Sequence, residues 1–233
     1  IFYYFEFFLD KPSYHTLMTY RTPLTPLVFG PLLEYGGPVT TEIFLGLRFV
    51  CSIMVTYKIG TLWSRPVGIV TAVSLLMFPA FGSMYHTVTD GPLFSTILLL
   101  WIFFIVHSLR RPTLTKYLVH GLFVVTLILI KPVAQVFLIF FVSPMFLNNE
   151  KLGKKIMFAL AFLLTSGSIA IAWSTHNYLR YDDFVIARGT SAIMPLRRAF
   201  VTDRIVHPEN GKYSKELGDL VESKLLTKEP YRS

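Results

Sequence analysis

The sequence predicts an all-α polytopic membrane protein with about six transmembrane segments, two of them a short hairpin, and a small mixed C-terminal extramembrane tail. Three observations carry this reading. Hydrophobic residues make up 53% of the 233, and the mean hydropathy is +0.53. Only 15% of residues are charged, against roughly a quarter in soluble domains. The apolar residues also fall in runs long enough to cross a hydrocarbon core of about 30 Å. This balance excludes a disordered chain, a basic nucleic-acid-binding domain and an ordinary water-soluble enzyme. The net charge of +8 then reports orientation, because Lys and Arg collect in cytoplasmic loops.

The elements follow in chain order. The apolar run Ile1 to Leu9 has no basic leader and no cleavage site, so it is not a signal peptide. It reads as the last turns of a membrane helix that begins upstream. Residues 1–42 are therefore the end of that helix and a non-cytoplasmic loop. Residues 43–175 form the transmembrane domain. Spans are expected at Ile43–Trp63, Val67–Tyr85, Leu93–Leu109 and Ile156–Thr175. Two shorter apolar stretches, Tyr117–Ile130 and Val133–Leu147, meet at Lys131-Pro132. Proline breaks a helix, and a lysine is costly in mid-bilayer. The pair is thus a hairpin or one broken helix.

The basic loops decide between these. With a hairpin, Lys58, Arg65, Arg110, Arg111, Lys116, Lys151, Lys154 and Lys155 all share the cytoplasmic face, as the distribution of Lys and Arg in membrane proteins requires. The opposite face then holds the loop 10–42, the loop around Asp90, the Lys131-Pro132 turn and the tail 176–233. In that tail Phe184–Ala187 reads as a short strand followed by a turn at Gly189. Asn210-Gly211 is a second turn. Tyr213, Leu217, Leu220, Val221 and Leu225 recur at helical spacing. The lone Cys51 supports neither a disulfide framework nor a cysteine metal site.

The residues able to carry chemistry lie on the non-cytoplasmic face. Asp10 follows the first apolar run, with Tyr14 and His15 close behind. It is either a base for an acceptor hydroxyl or a loop acid facing water. Arg21 precedes Thr-Pro-Leu-Thr-Pro. Its fork suits phosphate oxygens, or it snorkels to headgroups before a short interfacial helix. His86 and Asp90 share the loop before Gly91-Pro92, where Asp90 also suits a helix N-cap. Lys131 is a phosphate counter-charge or an interfacial anchor.

The order of these features is more telling than any one of them. An apolar span, Asp10, Tyr14, Arg21 before Pro-Leu, Gly36-Gly37, a span with Arg48 near its start, Pro79, Thr89-Asp-Gly-Pro92, a basic loop and Lys131-Pro132 follow in sequence. This pattern resembles the GT-C class of integral-membrane glycosyltransferases. It is most similar to the polyprenyl-phosphate-sugar-dependent branch of protein mannosyltransferase-like and aminoarabinose-transferase-like proteins. The resemblance covers roughly residues 1–190, including Asn177-Tyr-Leu-Arg180. It implies Asp10 and Asp90 as catalytic carboxylates, Asp10 as the general base, and Tyr14, Arg21, His86 and Lys131 as substrate-binding residues. It implies a polyprenyl-phosphate sugar donor in the membrane lipid, no metal and no cofactor. Lys11 departs from the pattern, standing where the family often has an acidic or small polar residue. A competing reading is a non-catalytic subunit of a larger membrane assembly, whose aromatic residues pack against partner subunits. A transporter is a third, although no inverted repeat is visible.

Overall fold

The computed structural model describes residues 22–109, 111–147, 150–182, 184–187, 209 and 211–224. Among them every regular element is helical. The chain divides into two compact units, Ile1–Ala187 and Arg188–Ser233. The first contains α1 (Leu24–Gly60), α2 (Arg65–Leu76), α3 (Pro79–Met84), α4 (Asp90–Leu109), α5 (Leu114–Ile130), a 3-10 segment (Pro132–Phe146) and α6 (Leu152–Tyr181). The second contains α7 (Lys212–Lys224), an amphipathic helix with Tyr213, Leu217 and Leu220 exposed.

Three helices are long and apolar enough to cross a membrane: Leu24–Gly60, Asp90–Ser108 and Leu152–Arg180. Three further segments, Arg65–Leu76, Leu114–Ile130 and Pro132–Phe146, are apolar but shorter. Large apolar side chains cover the outside, with Leu47, Val50 and Met54 exposed on α1 and Leu160, Leu164 and Ile171 on α6. Polar groups are turned inward: Arg48, Ser52, Thr96, Ser108 and His120 are buried. An apolar exterior over a partly polar interior is the arrangement a lipid solvent favours.

Three expectations are corrected. The stretch 67–85 is not one continuous helix but two, α2 and α3. Pro79 lacks the N–H needed to continue α2, and it pushes Phe78 into an extended conformation (φ −85, ψ 103). The segment Phe184–Ala187 is irregular rather than a strand. Its carbonyls are taken by α6 side chains instead: Asn177 Nδ2 donates to Val185 O (2.7 Å) and Trp173 Nε1 to Ile186 O (2.9 Å). The expected loop before residue 43 is helical from Leu24 onward. That helix kinks at Gly37 (φ 74, ψ −178), a backbone conformation open to glycine alone among common residues, with Pro38 starting the second half.

Side-chain contacts fix the directions of the helices. Arg48 reaches Pro92 and Ser52 reaches Thr96, so α1 and α4 run parallel. Asp90 meets Lys131 and Trp101 meets His120, so α4 and α5 are antiparallel. The His120 and Phe140 rings lie 4.9 Å apart, so the chain reverses at Lys131-Pro132. Tyr117 stacks on Phe158 at 4.9 Å, and Gly121 backs onto the Phe162 carbonyl, so α5 and α6 are parallel. One end of this bundle therefore carries Thr22, Glu42, His86, Asp90 and Lys131. The other carries Arg111, Lys116, Lys151, Lys154 and Lys155.

The core lies between α4, α5, the 3-10 segment and α6. Trp101, Tyr117, Val124, Leu127, Ile128, Phe158 and Phe162 are buried there. Within it Trp101 Nε1 donates to His120 Nδ1 (3.1 Å), and His120 Nε2 lies 2.7 Å from Ser108 Oγ. An indole N–H only donates, so Nδ1 carries no proton. Nε2–H then donates to Ser108, whose hydroxyl passes on to Ile105 O (3.0 Å).

Candidate functional site

The site begins with the end of α5. Pro132 disfavours helical geometry at the residue before it, and Lys131 is accordingly extended (φ −148, ψ 116). Its backbone N–H still bonds Leu127 O at 2.8 Å. The helix thus stops with the lysine side chain free to turn toward α4. Asp90 occupies the first turn of α4. Lys131 Nζ lies 3.5 Å from Asp90 Oδ2, with the side chains 47% and 31% exposed. The ammonium also lies 6.0 Å from the centroid of the Phe94 ring, one turn along α4. An ammonium has three donors, so this carboxylate leaves capacity for a second anion.

Thr22 closes on the same corner. Its hydroxyl donates to Ile130 O at 2.6 Å, in a buried contact. This bond joins the residue after Arg21 to the residue before Lys131. Asp10, Tyr14 and Arg21 themselves lie outside the described residues. His86 is not drawn into the Asp90–Lys131 pair. Its Nδ1 lies 2.7 Å from Glu42 Oε1, and both side chains are mostly exposed.

Beneath the Asp90 turn is a polar cluster that the sequence pattern did not isolate. Arg48 Nη2 donates to Pro92 O at 2.8 Å, and Arg48 is only 8% exposed. Arg48 Nη1 is buried and has no partner among the described residues. Ser52, Tyr85 and Thr96 form a triangle of hydroxyl contacts at 2.7, 2.9 and 3.0 Å. Ser52 donates to Arg48 O and Thr96 to Pro92 O, each at 2.9 Å. Those two protons are then committed, so the Tyr85 O–H is the one donor left for the triangle, and the Ser52–Thr96 contact holds two acceptor oxygens side by side. The cluster locks α1, the loop before α4 and the first turn of α4 together. The available signal was the spacing of Arg48, Ser52 and Thr56, which puts three polar residues on one face of an apolar helix.

Among the described residues no three His, Cys, Asp or Glu side chains group as metal ligands. No protein-family model, curated protein or solved structure matches this chain.

Proposed function

We propose that this chain is a membrane glycosyltransferase that moves a sugar from a polyprenyl-phosphate donor to an acceptor hydroxyl at the non-cytoplasmic face. The observation that carries the reading is the Asp90–Lys131 pair, an acid and a cation held 3.5 Å apart at one end of an apolar bundle. The Thr22–Ile130 bond supports it by bringing the chain next to Arg21 to the same corner.

The membrane arrangement belongs to this proposal. Six segments cross: α1, α2 with α3, α4, α5, the 3-10 segment and α6. A 15-residue 3-10 segment reaches about 30 Å at its larger rise per residue, whereas an α-helix of that length reaches only about 22 Å. The end with Arg111, Lys116 and Lys151 faces the cytoplasm. The end with Asp90 and Lys131 faces outward.

In the reaction, Asp10 takes the proton of the acceptor hydroxyl. The acceptor oxygen bonds the anomeric carbon from the face opposite the leaving group. The bond from that carbon to the phosphate oxygen breaks, and the electron pair leaves with the polyprenyl phosphate. Arg21 and Lys131 offset the charge developing on the phosphate. Asp90 orients Lys131, while Tyr14 and His86 contact the sugar or acceptor. No cofactor takes part.

The test is donor turnover by the purified chain in liposomes containing polyprenyl-phosphate mannose or polyprenyl-phosphate aminoarabinose, with membrane extract as the acceptor source. Release of polyprenyl phosphate that is lost in Asp10→Asn and reduced in Lys131→Met supports the reading. Donor left intact by the wild-type chain overturns the reading in favour of an accessory subunit, and turnover unchanged in both variants overturns the site built on Asp10 and Lys131.

A further inference from the structure

The opposite end of the bundle carries a second feature, independent of the transferase reading. An apolar groove with a volume of about 540 Å³ runs between α5 and α6, lined by Leu114, Leu118, Met157, Leu160, Ala161, Leu163 and Leu164. This lies within the usual range for small-molecule sites. Its floor is Ala161, 6% exposed, and its walls are leucines that face outward, with Leu160 59% and Leu164 69% exposed. The floor is open because Ala161 is small. Just beyond it, the absence of a side chain at Gly121 lets α5 seat directly on the Phe162 carbonyl.

The groove starts at a concentration of positive charge. Leu114 and Leu118 flank Lys116, and Met157 follows Lys154 and Lys155 within one turn. Arg111 and Lys151 are exposed at the same end. The one acid described there, Glu150, is spent on Lys154 at 3.2 Å. Lys116 Nζ bonds Arg111 O (2.5 Å) and Lys155 Nζ bonds Met145 O (3.2 Å), both in exposed contacts, so each ammonium has a fixed backbone partner at this end and still faces solvent. The start of α6 adds to this field: Lys151 at its N-cap makes no side-chain capping bond, and the first N–H groups of a helix attract anions.

We infer that this groove is a binding site for an anionic phospholipid, with one acyl chain along Leu114, Leu118, Ala161 and Leu164 and the phosphate among Arg111, Lys116 and Lys151. Chain and headgroup are both required. An apolar groove alone takes any lipid tail, and a basic rim alone takes any anion. A basic pocket between membrane helices at one leaflet selects acidic headgroups.

The experiment uses the full chain in nanodiscs of equal phosphatidylglycerol and phosphatidylcholine, followed by native mass spectrometry of retained lipid. Phosphatidylglycerol should be retained over phosphatidylcholine by on the order of tenfold, as a few basic residues at a surface provide. The triple variant Arg111→Gln, Lys116→Gln, Lys151→Gln should abolish that preference while keeping total lipid retention. Leu164→Ser and Ala161→Phe should lower total retention. Ala161 touches the core, so Leu164→Ser, at an exposed position, is the variant that reads the groove if Ala161→Phe does not fold. Equal retention of both lipids, a preference that survives the triple variant, or retention unchanged in Leu164→Ser overturns the proposal. None of these readouts depends on sugar transfer, so failure here and failure of the transferase reading are separable.

Discussion

Asp90 Oδ2 and Lys131 Nζ sit 3.5 Å apart where the first turn of α4 meets the residue that caps the end of α5. The two residues are 41 positions apart in sequence and lie on opposite strokes of an antiparallel helix pair. Their meeting requires α4 to begin, and α5 to end, at the same level of the bundle. Pro92 in the first turn of α4 and Pro132 after α5 set those two levels, because each permits helix on only one side.

The pair is half exposed, so its contribution to stability is small, on the order of 0–1 kcal/mol. Asp90→Asn and Lys131→Met should therefore each shift the unfolding midpoint little, as followed by circular dichroism in detergent. Transfer of sugar from a polyprenyl-phosphate donor should drop by at least about tenfold in Lys131→Met, the loss expected when one charge-stabilising donor is removed. The swap Asp90→Lys with Lys131→Asp should keep the fold and fail to restore transfer. Restored transfer would mean that the pair is only a tie between helices.

Arg48 gives a sharper contrast. Its guanidinium is buried with one nitrogen on Pro92 O and the other without a partner among the described residues. Burying a charge is expensive, and an apolar side chain of similar volume often replaces it without loss. Arg48→Met should leave stability within about 1 kcal/mol of wild type. Arg48→Ala removes the aliphatic stem as well and leaves a void, so it should cost about 2 kcal/mol or more. Equal losses in thermal unfolding would show that the charge, not the packing, is what the site needs.

The helical class was legible because apolar residues so outnumber charged ones that lipid-facing helices are the only economical burial. The reversal at Lys131-Pro132 was legible too: the basic clusters around Arg111 and Lys154 cannot share one end unless the chain turns back between them. The break at Phe78-Pro79 was not read, because hydropathy sums over a window while a proline acts at a single bond. The Arg48–Ser52–Tyr85–Thr96 cluster was hidden for a different reason. Its members come from three segments, and only tertiary packing shows that Tyr85 closes the triangle. Asp90 and Lys131 were each identified singly, yet nothing in their spacing made them partners.

Gly121 tests the parallel packing of α5 on α6. A methyl group there would lie 2.7 Å from Phe162 O and 2.8 Å from the Thr165 Cβ. The first neighbour is backbone inside α6, so it cannot rotate away. Gly121→Ala gains helix propensity of about 1 kcal/mol but must push the helices apart, and overpacking typically costs about 1–3 kcal/mol. The net effect should be destabilising, and Gly121→Val should be worse. Gly167 on α6 has open space around its Cβ position, so Gly167→Ala should stabilise. The opposite ranking of these two glycine variants in a thermal melt would contradict the close contact.

His120 tests the buried network at the other side of the core. It is fully buried, accepts from the Trp101 indole and donates to Ser108, and Phe104, Tyr117 and Phe140 surround its ring. Replacing it with phenylalanine keeps the aromatic volume but strands the indole N–H and removes the donor to Ser108. The cost should be about 1–3 kcal/mol for the buried donor left unmade. Trp101→Phe alone leaves Nδ1 without its donor and also empties part of the volume packed against Phe137 and Phe140, so it should be destabilising too. The double variant His120→Phe with Trp101→Phe removes both partners at once. It should therefore be more stable than the sum of the single losses predicts, by about 0.5–3 kcal/mol of coupling. Strict additivity in that cycle, read from denaturant unfolding in detergent, would show that the Trp101–His120 contact is geometric proximity without a hydrogen bond.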